Sequence, residues 1–201
     1  MLAQLKLSFS QRGDRAEVSW IAPAGASPSQ LPVMSSLERL VEVRNAQSVT
    51  IQGLQLHHVT YHGLDDQMNF INSAMYVISS SHITIVDCAF SHTEMSGLFL
   101  SGGSNILVDR NVFTDIGYHG ILKIGSMDDG NVSITNNYID GVGITRQWST
   151  FGIFAQGSLN VLIGNNEVTR TSGGGIHVVS ESFRKGSKHL SRLECPLFAK
   201  C

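Results

Sequence analysis

From Ser104 to Gly125 the chain reads SNILVDRNVFTDIGYHGILKIG, two short alternating apolar runs separated by a polar corner. Ile106 and Val108 form the first run, Asn111 marks the corner and Phe113 follows it. After a six-residue connection, Gly120 opens a second run at Ile121. The unit recurs along the chain. First-run copies are VTI at Val49, ITI at Ile83, ILV at Ile106, VSI at Val132 and VLI at Val161. Two residues on come Ile51, Ile85, Val108, Ile134 and Ile163; five on, Leu54, Cys88, Asn111, Asn137 and Asn166. Seven on come Leu56, Phe90, Phe113, Ile139 and Val168. Second runs open at Gly97, Gly120, Gly152 and Gly175, with AMYV at Ala74 as a further copy. Period-two alternation is strand periodicity. The first runs lie 34, 23, 26 and 29 residues apart, too close for intervening helices. Strand-only units at such a period predict a parallel β-solenoid.

In a solenoid, equivalent residues of neighbouring coils sit above one another at about 4.8 Å. Apolar columns then fill the interior. Asn111, Asn137 and Asn166 should stack at a corner, in left-handed backbone, with their amides bonding one another. Cys88 shares that column and reads as a small buried residue. Phe99, Leu122 and Phe154, followed by His177, occupy the outward position of the second run, a stripe of the kind a loop or partner covers. Lys123 falls where other coils carry Val77, Leu100, Ala155 and Val178, so either the strand bulges there, the default expectation, or this lysine is unusually placed.

This pattern, spanning about Leu40 to Ser180, resembles the right-handed parallel β-helix proteins of the pectate-lyase and polygalacturonase superfamily. The resemblance implies an all-β, right-handed parallel β-helix of five to six coils. It leaves activity open, because lyases, hydrolases, epimerases and non-catalytic stalks share the fold. Polygalacturonases carry Asn-Thr-Asp, Asp-Asp, Gly-His-Gly and Arg-Ile-Lys in that order. Here His119-Gly120 precedes Asp128-Asp129, Tyr118 replaces the first glycine, and no Arg-Ile-Lys follows, so that site is not carried over. Pectate lyases use acidic calcium ligands; Asp128 and Asp129 could hold calcium or simply form a turn. No resident cofactor or metal is expected. An extracellular setting is implied by the resemblance alone, and the compartment stays open.

Residues 1–36 show no repeat and hold three of the four prolines, and read as an irregular segment or linker. Residues 37–180 form the solenoid. Residues 181–201 lose the alternation, carry a local basic excess and read as a disordered, non-repeat tail. No cap is visible at either end, which suggests a truncated chain whose last coil exposes Ile163, Ile176 and Val178 and associates end to end. Net charge is −2 with a pI near 6.4, so no general basic surface offers itself to nucleic acid. No apolar run approaches the 18 or so residues of a membrane span. Three cysteines do not indicate a disulfide framework.

The connections after the Phe113-type position vary in length. The two largest insertions, 57–73 and 140–151, occupy the same connection and should project from the same side, walling a short floor. Such a groove suits an extended polymer. On the floor lie His92, Glu94, Asp115, Tyr118 and His119, with His58 one coil earlier. His58, His92 and Asp115 all fall nine residues after a first run and should form an outward column. Glu94 and Asp115 are the expected acid and base, at a diagonal separation of about 7–8 Å, with His92 and His119 sharing or orienting proton transfer. His58, Tyr118, Asp65, Asp66, Arg146 and Trp148 are the expected glycan-binding residues. Two functions follow: a polysaccharide lyase or glycoside hydrolase, or a non-catalytic glycan-binding or structural solenoid.

Overall fold

The structure, a computed structural model, describes residues 7–12, 15–20, 37–60, 72–125, 129–145, 149–157, 160–179 and 192–194. The chain divides into two units, Met1–Met34 and Ser35–Cys201. In the first, β1 (Leu7–Arg12) and β2 (Arg15–Trp20) pair antiparallel, with Phe9 opposite Val18. The segment expected to be irregular therefore contains a hairpin. Its signal was present: LSF and AEVSW alternate around Gly13-Asp14, a two-residue hairpin loop sequence.

The second unit begins with β3 (Val41–Arg44), β4 (Gln47–Gln52), β5 (Gln55–Val59) and β6 (Ser73–Val86). Then come β7 (Ala89–Thr93), β8 (Ser96–Asp109), β9 (Val112–Ile116) and β10 (Ile121–Ile124). They are followed by β11 (Val132–Thr135), β12 (Tyr138–Val142), β13 (Phe151–Gln156) and β14 (Val161–Gly164). The order closes with β15 (Glu167–Thr171), β16 (Gly174–Val179) and β17 (Arg192–Glu194). All pairing within this unit is parallel between coils, as a solenoid requires. Val49, Ile83, Ile106, Val132 and Val161 lie in one continuous register. Four full turns separate these five copies, a small difference from the five to six coils expected. A five-stranded sheet in the order β15-β12-β9-β7-β5 forms one flank, and the remaining strands form a ten-stranded sheet. β6 and β8 are long because each carries a second run straight into the next first run, turning at left-handed Ser79 or Gly102.

The interior columns form as the alternation requires. Ile85, Val108 and Ile134 are fully buried, and the Phe90 and Phe113 rings stack at 4.5 Å. Each such side chain is worth roughly 1.5–3 kcal/mol on burial. Asn111, Asn137 and Asn166 are 1% exposed and form a ladder. Asn137 Oδ1 accepts from Asn111 N at 2.9 Å and from Asn111 Nδ2 at 3.0 Å, and Asn166 serves Asn137 in the same way. The amide nitrogens donate to the carbonyls of Ile85, Val108 and Ile134. The left-handed residues, however, are their predecessors Arg110, Asn136 and Asn165. The turn falls one residue earlier than expected because only then does the amide point inward to reach the backbone of the coil below.

At Lys123 the default expectation is corrected, and the alternative of an unusually placed lysine is the one that holds. No bulge exists there: Leu100, Lys123 and Ala155 run in unbroken register. The side chain is fully buried, with Nζ 2.6 Å from Asp129 Oδ2. Gly102 N–H donates to the same oxygen. The three-residue insertion before the fourth coil thus returns a carboxylate to the interior, where it offsets the lysine charge. A Cβ on Gly125 would lie 1.7 Å from that oxygen, so only glycine leaves room for the pair. Ile163, expected to be exposed, is buried, and Leu193 of β17 stands opposite it in register. Val178 is 38% exposed. The rest of 181–201 lies outside the described residues.

Candidate functional site

Each strand of the five-stranded flank feeds, through one connection, back to the ten-stranded sheet. Both insertions use that connection, since they follow β5 and β12. Residues 61–71 and 146–148 lie outside the described residues, and with them Asp65, Asp66, Arg146 and Trp148; Asp128 does too. The inner part of the second insertion leans over its neighbours. Thr145 Oγ1 donates to the carbonyls of Gly117 (3.0 Å) and Glu94 (2.9 Å), spanning two coils. Thr145 thus covers the backbone at Gly117, which is buried.

The column expected nine residues after each first run is real and longer than expected. His58, His92, Asp115, Gly141 and Arg170 occupy it in chain order, and all five have positive φ, between 47° and 70°. A left-handed residue there turns the strand outward at the start of the connection. Histidine, aspartate and glycine tolerate that region better than most residues. Its side chains consequently stand on the outer surface one coil apart. The His58 and His92 ring centroids are 5.2 Å apart, and His57 lies 5.0 Å from His58. His92 Nε2 faces Asp115 Oδ2 at 3.7 Å, with the two side chains 58% and 48% exposed. Partial burial pushes the His58 imidazole below its ordinary pKa, and the neighbouring His57 and His92 push it further.

Two further residues complete the column's electrostatics. Asp140 accepts a bidentate pair of hydrogen bonds from the Nε–Nη2 edge of Arg170 and another from Thr169 Oγ1 at 2.6 Å. Chiefly through the Arg170 hydrogen bonds, its carboxyl is held down at about 2. The Arg170 guanidinium is in turn pushed up, chiefly by its hydrogen bonds to Asp140, with the charge of Asp115 adding to the shift. His57, Asp140 and Arg170 were missed from sequence, although counting the offset on through the next two coils finds Gly141 and Arg170.

The remaining expected site residues separate. His119, expected on the exposed floor, is 3% exposed and belongs to another surface. Its Nδ1 accepts the Phe151 N–H at 3.1 Å, and its ring lies 3.9 Å from Tyr118, 5.3 Å from Phe154 and 5.9 Å from Phe151. Burial pushes this imidazole down to about 4, and His177 adds to the shift. The physical reason is its place next to Gly120: it has already turned toward the second-run face, where the aromatic stripe runs. Tyr118 goes with it, half-buried. Glu94 stays on the outer surface, where Thr60 Oγ1 donates to Oε2 at 3.3 Å. It lies two residues past His92 and borders the column. The site that the fold assembles is thus His57, His58, His92 and Asp115, flanked by Glu94 and by the Asp140–Arg170 pair. Among the described residues no cluster of three or more acidic, cysteine or histidine groups is arranged to hold a metal ion.

A family model described as a right handed beta helix region matches residues 73–185, the part of the chain that contains the asparagine ladder. No curated protein and no solved structure matches the chain.

Proposed function

The chain belongs to the right-handed β-helix family, and from that premise we propose that it is a carbohydrate-active member. The glycan is held along the outer column of the five-stranded flank. The observation that carries the reading is the stacking of His58, His92 and Asp115 on successive coils, with His92 and Asp115 at 3.7 Å. A solenoid repeats its surface about every 4.8 Å, so a linear chain laid along the axis meets equivalent groups at each step. Asp115 faces the His92 ring and orients it, and His92 is the proton acceptor of this reading for lyase or hydrolase chemistry. Glu94 supplies the second carboxyl. His119 has no part in this step, because it is buried on the aromatic face. The non-catalytic alternative draws support from the same separation, since only half of the expected acid–base group is brought together.

The test is a panel of acidic and neutral polysaccharides, read for both reducing ends and unsaturated ends, alongside direct binding. Turnover lost in His92→Asn and Asp115→Asn supports the enzyme. Binding without turnover, weakened by the same changes, establishes the non-catalytic reading. Absence of both binding and turnover across the panel would overturn the assignment to carbohydrates.

A further inference from the structure

We infer that the His57–His58–His92 row is an acid-gated clamp that captures an anionic glycan when its imidazoles are protonated and releases it when they are neutral. This rests on the carbohydrate reading above and names the ligand's charge and the condition for its capture.

The geometry supplies the argument. Three imidazoles lie in a row with neighbouring centroids 5.0 and 5.2 Å apart, on β5 and β7. His57 and His92 are exposed and His58 is half-buried. Among the described residues the ionisable groups around the row are few. On β5 they are His57 and His58 themselves, and on β7 His92. Glu94 follows β7 and is bonded to Thr60. On β9, Asp115 faces His92. On β12, Asp140 is already compensated by Arg170 of β15. Glu167 lies at the opposite end of β15, three residues before Arg170. With neutral imidazoles the row and its border are net negative, from Asp115 and Glu94. With three imidazolium ions the sign reverses.

Imidazolium groups this close repel one another, so the free protein resists charging the middle ring. Carboxylates or sulfates lying across the row would remove that repulsion. Binding and protonation must then reinforce each other, because a ligand that favours the protonated state raises proton uptake and protons raise its affinity. Histidine is the side chain that titrates between about pH 5 and 8, which sets the operating range. The coupling has a direction. Affinity for an anionic chain rises as pH falls, and affinity for a neutral chain is insensitive.

The experiment uses the full chain. Binding of a sulfated dextran and of a polyuronate is compared with unsubstituted dextran at about pH 8 and about pH 5.5. For each proton taken up on binding, affinity should rise about tenfold per pH unit as pH falls through the imidazole range and level off below it, and proton uptake should be visible as buffer-dependent binding heat. His58→Asn with His92→Asn should flatten the pH dependence for the anionic chains; asparagine tolerates the left-handed backbone at both positions. Thermal unfolding at both pH values confirms that the double variant is folded. Anionic binding that does not change with pH, or that keeps its pH dependence in the folded double variant, overturns the clamp while the carbohydrate reading stands. Binding of unsubstituted dextran that strengthens with acid as much as that of the anionic chains has the same meaning. Failure to bind any glycan removes both.

Discussion

Two outward columns run up this solenoid, produced by one repeat and opposite in character. On the five-stranded flank stand His58, His92, Asp115, Gly141 and Arg170, exposed or half-buried apart from the glycine. On the ten-stranded sheet, Tyr76, Phe99, Leu122, Phe154 and His177 lie in continuous register. The first three are only 4%, 3% and 2% exposed, although they point away from the core. Tyr76 and Phe99 stack at 4.7 Å, and the Arg39 guanidinium covers Tyr76 at 4.3 Å. Stacking decides that like positions meet; chemistry and cover decide what each column does. The aromatic one serves stability, and the polar one is free to serve a ligand.

Truncation should separate them most sharply. Phe99→Ala should cost about 3–5 kcal/mol, the usual loss for a buried phenylalanine, read as a fall in the denaturant midpoint. A loss below about 1 kcal/mol would mean that the aromatic column is not the packed surface described here.

The next effect is pH dependence on the aromatic side. His119 has its pKa at about 4 in the folded chain, against an ordinary value near 6.5 in the unfolded one. The unfolded state therefore binds more protons between these values. Stability from this group is fully present above the unfolded pKa and declines as pH falls through about 6.5 toward 4, by about 3 kcal/mol in all. His119→Asn keeps an acceptor for the Phe151 N–H and should flatten that decline in unfolding measured between about pH 7 and pH 4. An unchanged slope would place the acid sensitivity elsewhere.

The inward asparagine column provides a control of smaller size. Cys88 continues it downward: its backbone N–H donates to Asn111 Oδ1, and its sulfur lies 3.8 Å from the Ile51 carbonyl. That carbonyl corresponds to those that receive the amides of Asn111, Asn137 and Asn166. Cys88→Asn should add this hydrogen bond and raise stability by about 1 kcal/mol. A loss instead would show that the lowest coil has no room for the larger amide.

The smallest stability effect belongs to the polar column. His92→Asn should leave unfolding within about 0.5 kcal/mol of the parent, while weakening glycan binding. If it destabilises as much as Phe99→Ala, the two columns do not differ in role.

The repeat was legible because burial imposes it: a residue pointing into a solenoid must be apolar, so Ile51, Ile85, Val108, Ile134 and Ile163 declare the coil one after another. The ladder of Asn111, Asn137 and Asn166 was legible for a related reason, since a buried amide must find partners and the coils above and below are the nearest. Outward columns could be counted but not interpreted, because solvent accepts nearly any residue. His92 and Asp115 were placed correctly by counting, and His119, only four residues past Asp115, was not.

What sequence alone determined, then, is the all-β parallel solenoid, its inward columns and the offset that aligns His58, His92 and Asp115. Tertiary structure decided where the chain turns within each connection, and so which neighbours belong to which face. That turn is set by left-handed residues and by contacts across coils, such as Thr145 on Glu94 and Gly117. It also decided that Lys123 enters the core, since its partner Asp129 arrives by way of a loop and no strand pattern records that meeting. Periodicity encodes what every coil shares, whereas pairing between a strand and an insertion occurs once and leaves no period to read.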